Sequence, residues 1–372
     1  MFYLLIKKRV WQMKKSFKRI SAIILSVLVV TVSMSACGTQ KNQNSNEQSS
    51  KQSTVSQTNE ASKNEPDKKE TKYVNPLTGL ATEKDISTSR PVAVMINNIE
   101  YAQPLMGISK ADVIYECLVE GGITRLEAIY KDASNVGKIG SIRSARPPFI
   151  DLARGFQAVY IHCGTSKQAN EILKQDVINS FDLGKYSSWA WRDSERIDKG
   201  YSVEHTLVTD GKTVVGNAKD NGVKMTISNN YSQKFGNNSQ VDTGKSAVKI
   251  SAKFSNYKTT SFEYNKKEKT YIVSQFGEEM FDSTYNTHNT AENVLVLNVN
   301  SYLIDDEHVN LDLVGNGEGY YMNGGKAIKI KWSKSSSDSP IEYTLENGEE
   351  LIMKPGRQYV CCIPLSNEAE YS

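Results

Sequence analysis

Histidine and cysteine are scarce in this 372-residue chain, at four and five positions. His162, His205 and His288 stand far apart, so the spacing of a metal site is missing. Beyond Cys37, Cys117 and Cys163 fall inside apolar runs and read as small buried hydrophobes. Cys361 and Cys362 are adjacent in a strand-like run, where neighbours point to opposite faces, so they cannot bridge each other. A disulfide framework is therefore not expected. The chain also lacks a Gly-rich phosphate loop, a Ser nucleophile elbow and a His-Glu-x-x-His pair. Its longest apolar run, residues 20–32, falls short of the roughly 20 residues that cross a membrane.

That run belongs to the most legible part of the sequence. Lys14, Lys15, Lys18 and Arg19 precede it, and Met34-Ser35-Ala36-Cys37 follows. A basic region, a short apolar region and small residues before a cleavage point make a secretory signal over residues 1–36. Met34-Ser35-Ala36-Cys37 resembles the lipobox of bacterial lipoproteins, which implies cleavage before Cys37 and a lipid on its sulfur. The expected location is the extracytoplasmic face of the cell membrane, anchored by that lipid. Residues 37–72 then form a tether rich in Ser, Gln, Asn, Lys and Glu. Such a stretch buries too little to order itself and reaches ~30 Å as a flexible coil.

Cleavage also changes the charge. Residues 1–36 hold seven of the 45 Lys and Arg and none of the 42 Asp and Glu, leaving 38 basic against 42 acidic residues. General attraction to nucleic acid is excluded on that balance, and any anion site must be local.

Some 300 residues remain, enough for two domains of ordinary size. Residues 73–235 alternate short apolar runs with helical stretches: strands at 91–96, 112–119, 124–130, 139–142, 158–163 and 203–208, and helices at 149–157, 166–175 and 211–221. Thr165 with Gln168 has capping-box spacing for the second helix. This predicts a mixed α/β, α+β domain. Residues 240–365 are short β-rich runs separated by Asn-Gly, Gly-Gly and Pro-Gly turns, which predicts a mostly β second domain. Its tyrosines and tryptophans suit a glycan groove or, more ordinarily, core and cross-strand packing.

The stretch that organises the first domain is residues 137–151. A β-branched run is broken by small residues and Pro147-Pro148, with Arg143 and Arg146 between strand and helix. Two guanidiniums at such a turn suit a phosphate or carboxylate, because forked donors meet oxygens bidentately. The same arginines could instead pair with the chain's own acids, such as Glu116, Glu120 or Asp151. Ser141, Ser144 and Ala145 leave room for a ligand. His162 is placed to join it or to be satisfied by a carbonyl. Arg192, Asp193, Glu195 and Arg196 form a mixed-charge cluster typical of a solvated face.

With these residues in view, the chain resembles the YerB-type family of bacterial lipoproteins, a pair of domains of unknown function. The likeness rests on Arg90-Pro91, Ala111-Asp112-Val113-Ile114-Tyr115-Glu116, Glu120-Gly121-Gly122-Ile123-Thr124-Arg125, Gly140-Ser141-Ile142-Arg143-Ser144-Ala145-Arg146-Pro147, His162-Cys163-Gly164 and Trp191-Arg192. In the second half it rests on Gly317-Glu318-Gly319-Tyr320, Lys329-Ile330-Lys331-Trp332 and Pro355-Gly356-Arg357. The chain has Glu204-His205-Thr206-Leu207 where that family tends to have Pro-His-Asn-Leu. The order of strands around Ser-Ile-Arg is also similar to the LytR-Cps-Psr family, which attaches pyrophosphate-linked glycopolymers to the cell wall. Arg143 matches an arginine of that family, but Ser144 stands where its Asp would be, and Asp151 lies further on.

These readings predict a membrane-anchored lipoprotein that binds a phosphate-bearing envelope glycan or lipid. The candidate ligand residues are Arg143, Arg146, Ser144, Arg125 and His162, with Cys37 as the lipidation site. No catalytic residue is assigned, and no cofactor or metal is expected. A glycopolymer transferase or hydrolase, and a protein-interaction scaffold without a small ligand, are the alternatives.

Overall fold

A computed structural model describes residues 73–228, 231, 233–237 and 240–372. The signal, Cys37 and the tether lie outside the described residues. Pro91 leads into β1 (Val92–Asn98), all seven residues of which are buried. A continuous apolar run of this kind is what a strand covered on both faces requires. β2 (Val113–Leu118) and β3 (Thr124–Tyr130) follow and pair as the expected antiparallel hairpin. The turn between them uses Gly121 and Gly122 at φ 64° and 76°, a left-handed backbone that side chains resist.

The first helix, α1 (Pro147–Gly155), begins two residues earlier than the pattern suggests. Both prolines sit in its first turn, where a missing N–H costs nothing. β4 (Val159–His162) comes next. α2 (Lys167–Leu173) is capped by Ser166, whose hydroxyl accepts from the Ala169 amide at 3.2 Å, and not by Thr165. β5 (Ser180–Asp182) and the one-turn α3 (Ser194–Asp198) precede another departure from expectation. Val203–His205 is a 3-10 turn, and the strand there is confined to Leu207–Asp210. α4 (Gly211–Asp220) closes this half, with Val214 and Ala218 buried one turn apart.

The second half is almost all strand, as its pattern predicts. β6 (Lys249–Lys253), β7 (Thr259–Asn265) and β8 (Thr270–Gln275) form the body of a six-stranded sheet closed by Ala369–Tyr371. β9 (Asn293–Val299), β10 (Gly315–Asn323), β11 (Lys326–Lys334) and β12 (Gln358–Pro364) belong instead to an eleven-stranded sheet. From the strand beside the short edge strand Lys245–Ser246 to the opposite edge, its order is β11-β10-β9-β12-β2-β3-β1-β4-β5. β12 lies between β9 and β2 and runs parallel to both, with Gln358 in register with Asn293 and with Val113.

The change of pattern near residue 240 is thus a change within one sheet, because the last long strand of the chain is inserted beside β2. All described residues fall in a single compact unit. One face of the large sheet packs on α1 and α2, burying Phe149, Ile150, Leu152 and Ala169. The other packs on α4 and the six-stranded sheet through Val214, Ile250, Phe262 and Tyr271. Each of the larger aliphatic and Phe side chains among these contributes ~1.5–3 kcal/mol. Cys361 and Cys362 are buried on opposite faces and are free thiols. Among the described residues no helix is long and apolar enough to cross a membrane.

Candidate functional site

Parallel strands β1 and β4 end side by side, and the loop carrying the arginines crosses beside the end of β1. Residues 141–143 are extended there: the Asn97 amide donates to the Ser141 carbonyl at 2.9 Å, and the Arg143 amide to the Met95 carbonyl at 3.0 Å. The carboxyl ends of parallel strands are where open α/β sheets commonly hold ligands.

Arg125 and Arg146 do not face an open cleft. Arg146 is 6% exposed and Arg125 4%. Arg146 donates to both oxygens of Glu120, Nε to Oε2 at 2.9 Å and Nη2 to Oε1 at 2.5 Å. Arg125 donates to Glu120 Oε1 at 2.6 Å and to the Ser144 carbonyl at 2.7 Å. The remaining Arg146 nitrogen, Nη1, donates to the Ala145 carbonyl at 2.9 Å. Burial alone would raise the Glu120 pKa, but the Arg146 hydrogen bonds and the two positive charges hold it down at about 2. Burial and the neighbouring Arg146 charge push Arg125 down to about 9. Of the partners considered for the arginines, Glu120 is the one the fold supplies. The Gly121-Gly122 turn brings it back over the loop.

Arg143 differs. Its side chain is partly exposed, and its Nη1 donates to the Glu204 carbonyl at 3.3 Å. Arg143 Nε is buried and has no hydrogen-bond partner among protein atoms, and the same holds for the hydroxyl of fully buried Ser141. Desolvation lowers the Arg143 pKa, with the negative charges of Glu204 and Glu120 opposing. Residues alternate sides along extended backbone, so Ser141 and Arg143 face the same way. Ser144 stands against Gly164: a Cβ added at Gly164 would come 3.1 Å from its hydroxyl.

His162 is tied up by its own neighbourhood. Nδ1 lies 2.8 Å from the Gly164 carbonyl and Nε2 2.8 Å from the Ser180 hydroxyl, and burial pushes its pKa down. It braces the β4 end without reaching the loop's open side. Asp151 feels Lys334, Arg154 and Asp338, on the other flank of α1, so it does not take the place of the missing loop carboxylate.

Two residues that pattern reading did not assign to the site belong to its surroundings. Arg192 donates from Nη1 to the Val203 carbonyl at 2.5 Å, on the same turn that Arg143 touches. His205 Nδ1 is 3.0 Å from Asn97 Nδ2 at the end of β1. Both stand in motifs that carried the resemblance or departed from it. That coincidence, and no local propensity, was the signal that pointed to them.

Fold and site define a mixed-sheet protein with a structural arginine–glutamate cage beside one partly free arginine. The chain belongs to the family described as "Protein of unknown function (DUF3048)". The N-terminal domain of that family matches residues 77–224, and its C-terminal domain residues 250–360. A curated relative, "Putative lipoprotein YerB" of Bacillus subtilis (strain 168), is 27% identical over 303 residues, 80% of this chain and 88% of that protein. The crystal structure of the YerB protein from Bacillus subtilis is similar at a TM-score of 0.72 and 28% identity. It covers 80% of this chain and 99% of its own.

Proposed function

We propose that this protein is a lipoprotein held through Cys37 on the extracytoplasmic membrane face, where it binds a phosphate-bearing envelope ligand at Arg143. What carries the reading is the pair of buried, unpartnered polar atoms on one side of one extended segment, Ser141 Oγ and Arg143 Nε. Buried polar groups are ordinarily paired, and an oxygen accepting from both would satisfy them at once. Arg125 and Arg146 serve this site indirectly. Their cage with Glu120 fixes the loop and leaves a positive field around Arg143. With both Glu120 oxygens taken, the loop offers no free carboxylate for transfer chemistry, so binding is the better-supported reading.

Thermal shift and titration with pyrophosphate and a short polyprenyl phosphate test it, on wild type, Arg143→Ala and Arg143→Lys. Charge-assisted bonds are worth ~1.5–3 kcal/mol, so Arg143→Ala is expected to weaken binding roughly 10- to 150-fold. Arg143→Lys keeps the charge without the fork and falls between. Absence of ligand-dependent stabilisation in wild type would overturn the proposal. The anchor is checked separately: Cys37→Ala moves the protein out of the membrane fraction.

A further inference from the structure

Tyr371 of the closing strand Ala369–Tyr371 packs on Tyr320, their ring centroids 5.2 Å apart. Beside this contact the face of β10 and β11 lies open, and a groove of about 420 Å³ is set into it. That volume falls within the range of small-molecule sites. The antiparallel register places Glu318 opposite Lys331 and Tyr320 opposite Lys329, all four on one face. Glu346 closes one side, and Leu365, 61% exposed, and Glu368 the other. Gly317–Tyr320 and Lys329–Trp332 are two of the three stretches of the second half on which the resemblance rests.

Opposite charges directly across an antiparallel pair gain by pairing. Here Glu318 and Lys331 form no ion pair. Among the described residues the one hydrogen bond within this charged set runs from Lys331 Nζ to the Glu346 carbonyl, 3.4 Å. Gly317 and Gly319 turn the opposite way along β10, toward the core face, where no side chain fits. A Cβ at the first would meet Trp332 Nε1 at 2.6 Å, and one at the second the Val296 carbonyl at 2.5 Å.

Two amines and three carboxylates make a lining close to neutral, which suits neither a polyanion nor a polycation. Free donors and acceptors alternate across it, with the Tyr320 ring and an exposed leucine at one wall. A sugar ring has that complementary character: its hydroxyls both donate and accept, and its C–H face is apolar. We propose that this groove is a carbohydrate site for a neutral oligosaccharide, separate from the arginine loop and independent of it.

The test is titration of the full chain in detergent with N,N′-diacetylchitobiose, cellobiose and maltotriose. Saturable binding of at least one, with Kd below about 1 mM, is expected. The double variant Glu318→Gln/Lys331→Met and the single variant Tyr320→Leu should each weaken it at least about tenfold, since losing 1.4 kcal/mol already does so. Glu318 and Lys331 are exposed, so the double variant should keep the wild-type melting temperature and its pyrophosphate response. Arg143→Ala should bind sugar as wild type does. No saturation by any of the three sugars would overturn the proposal. So would sugar binding that survives the groove variants, and if Arg143→Ala then abolished it, the arginine-loop reading would stand while the groove's fell.

Discussion

Arg143 donates from Nη1 to the Glu204 carbonyl at 3.3 Å, the longest of three such contacts on one turn. Arg192 serves the Val203 carbonyl at 2.5 Å and Arg196 the His205 carbonyl at 2.7 Å. Three consecutive carbonyls of the 3-10 turn Val203–His205 therefore each accept from a different guanidinium. They are not equivalent. Arg196 is buried, also donates to the Pro104 carbonyl and lies over the Tyr201 ring.

Removing Arg196 strands the buried His205 carbonyl and the partly buried Pro104 carbonyl, whereas removing Arg143 gives up one long contact at a partly exposed position. Arg196→Ala should lower the unfolding free energy by ~2–3 kcal/mol and Arg143→Ala by less than ~1 kcal/mol. Urea denaturation of the two variants checks this. Equal losses would mean that Arg143 is structural, like its neighbours.

The cage predicts a pH signature. The folded pKa of Glu120, about 2, lies below its ordinary 4.5. Its stabilisation is therefore complete above the unfolded value and is lost as pH falls from the ordinary value towards 2. A residual solvent-facing side keeps the amount at roughly 1–3 kcal/mol. Glu120→Gln should be less stable than wild type at pH 7, and the gap should close by pH 2. Equilibrium unfolding at pH 7, 4 and 2 measures it, and a constant gap would exclude the cage as its source.

What could be read from the sequence follows from which interactions are local. Residues 91–96 announce a buried strand because apolar residues run without a break. The hairpin announces itself because two such runs flank Glu120-Gly121-Gly122. Val203 misleads, since an apolar residue before Leu207 and Val208 looks like strand. The carbonyls between are captured by arginines 9, 11 and 61 residues away. Glu120 was visible as one of several acids that Arg146 could choose. Choosing it depends on how the glycine turn folds back 26 residues earlier in the chain. The path of the sheet was illegible for the same reason: the pattern marks 358–363 as a strand but carries nothing about its pairing with 113–118.

That pairing has a consequence for dissection. Without β12, β2 loses its parallel neighbour, and Val360 and Cys362 no longer cover Tyr115 and Cys117. Residues 73–235 expressed alone should therefore fail to give a cooperative melt. Limited proteolysis of the whole protein should trim the N-terminal side first. If a nick falls near residue 238, the two fragments should stay associated until denaturant is added. A soluble 73–235 fragment with a sharp transition would show that the first half folds without the inserted strand.

The same junction holds a buried ion pair, Lys258 Nζ to Glu116 Oε1 at 3.3 Å, with side chains 1% and 0% exposed. It joins the turn between β6 and β7 to β2, one residue from each half of the chain. Glu116 is otherwise fully attended. Asn98 and Thr124 donate to Oε1 at 2.9 and 2.7 Å. Thr260, Tyr359 and Gln275 donate to Oε2 at 2.8, 2.8 and 3.2 Å. Lys258 also sits 4.3 Å from the Phe276 ring centroid, and burial lowers its pKa against the pull of Glu116. Breaking one side of such a pair leaves a buried charge without its counterion, at ~3–5 kcal/mol, whereas removing both charges together costs far less. Lys258→Met should therefore lower the unfolding free energy by ~3 kcal/mol or more. Adding Glu116→Gln should restore part of that loss, because the amide still accepts from several of the same donors. A double-mutant cycle in urea measures the coupling. Losses that simply add would show that the donors around Glu116, and not Lys258, hold its charge in the core.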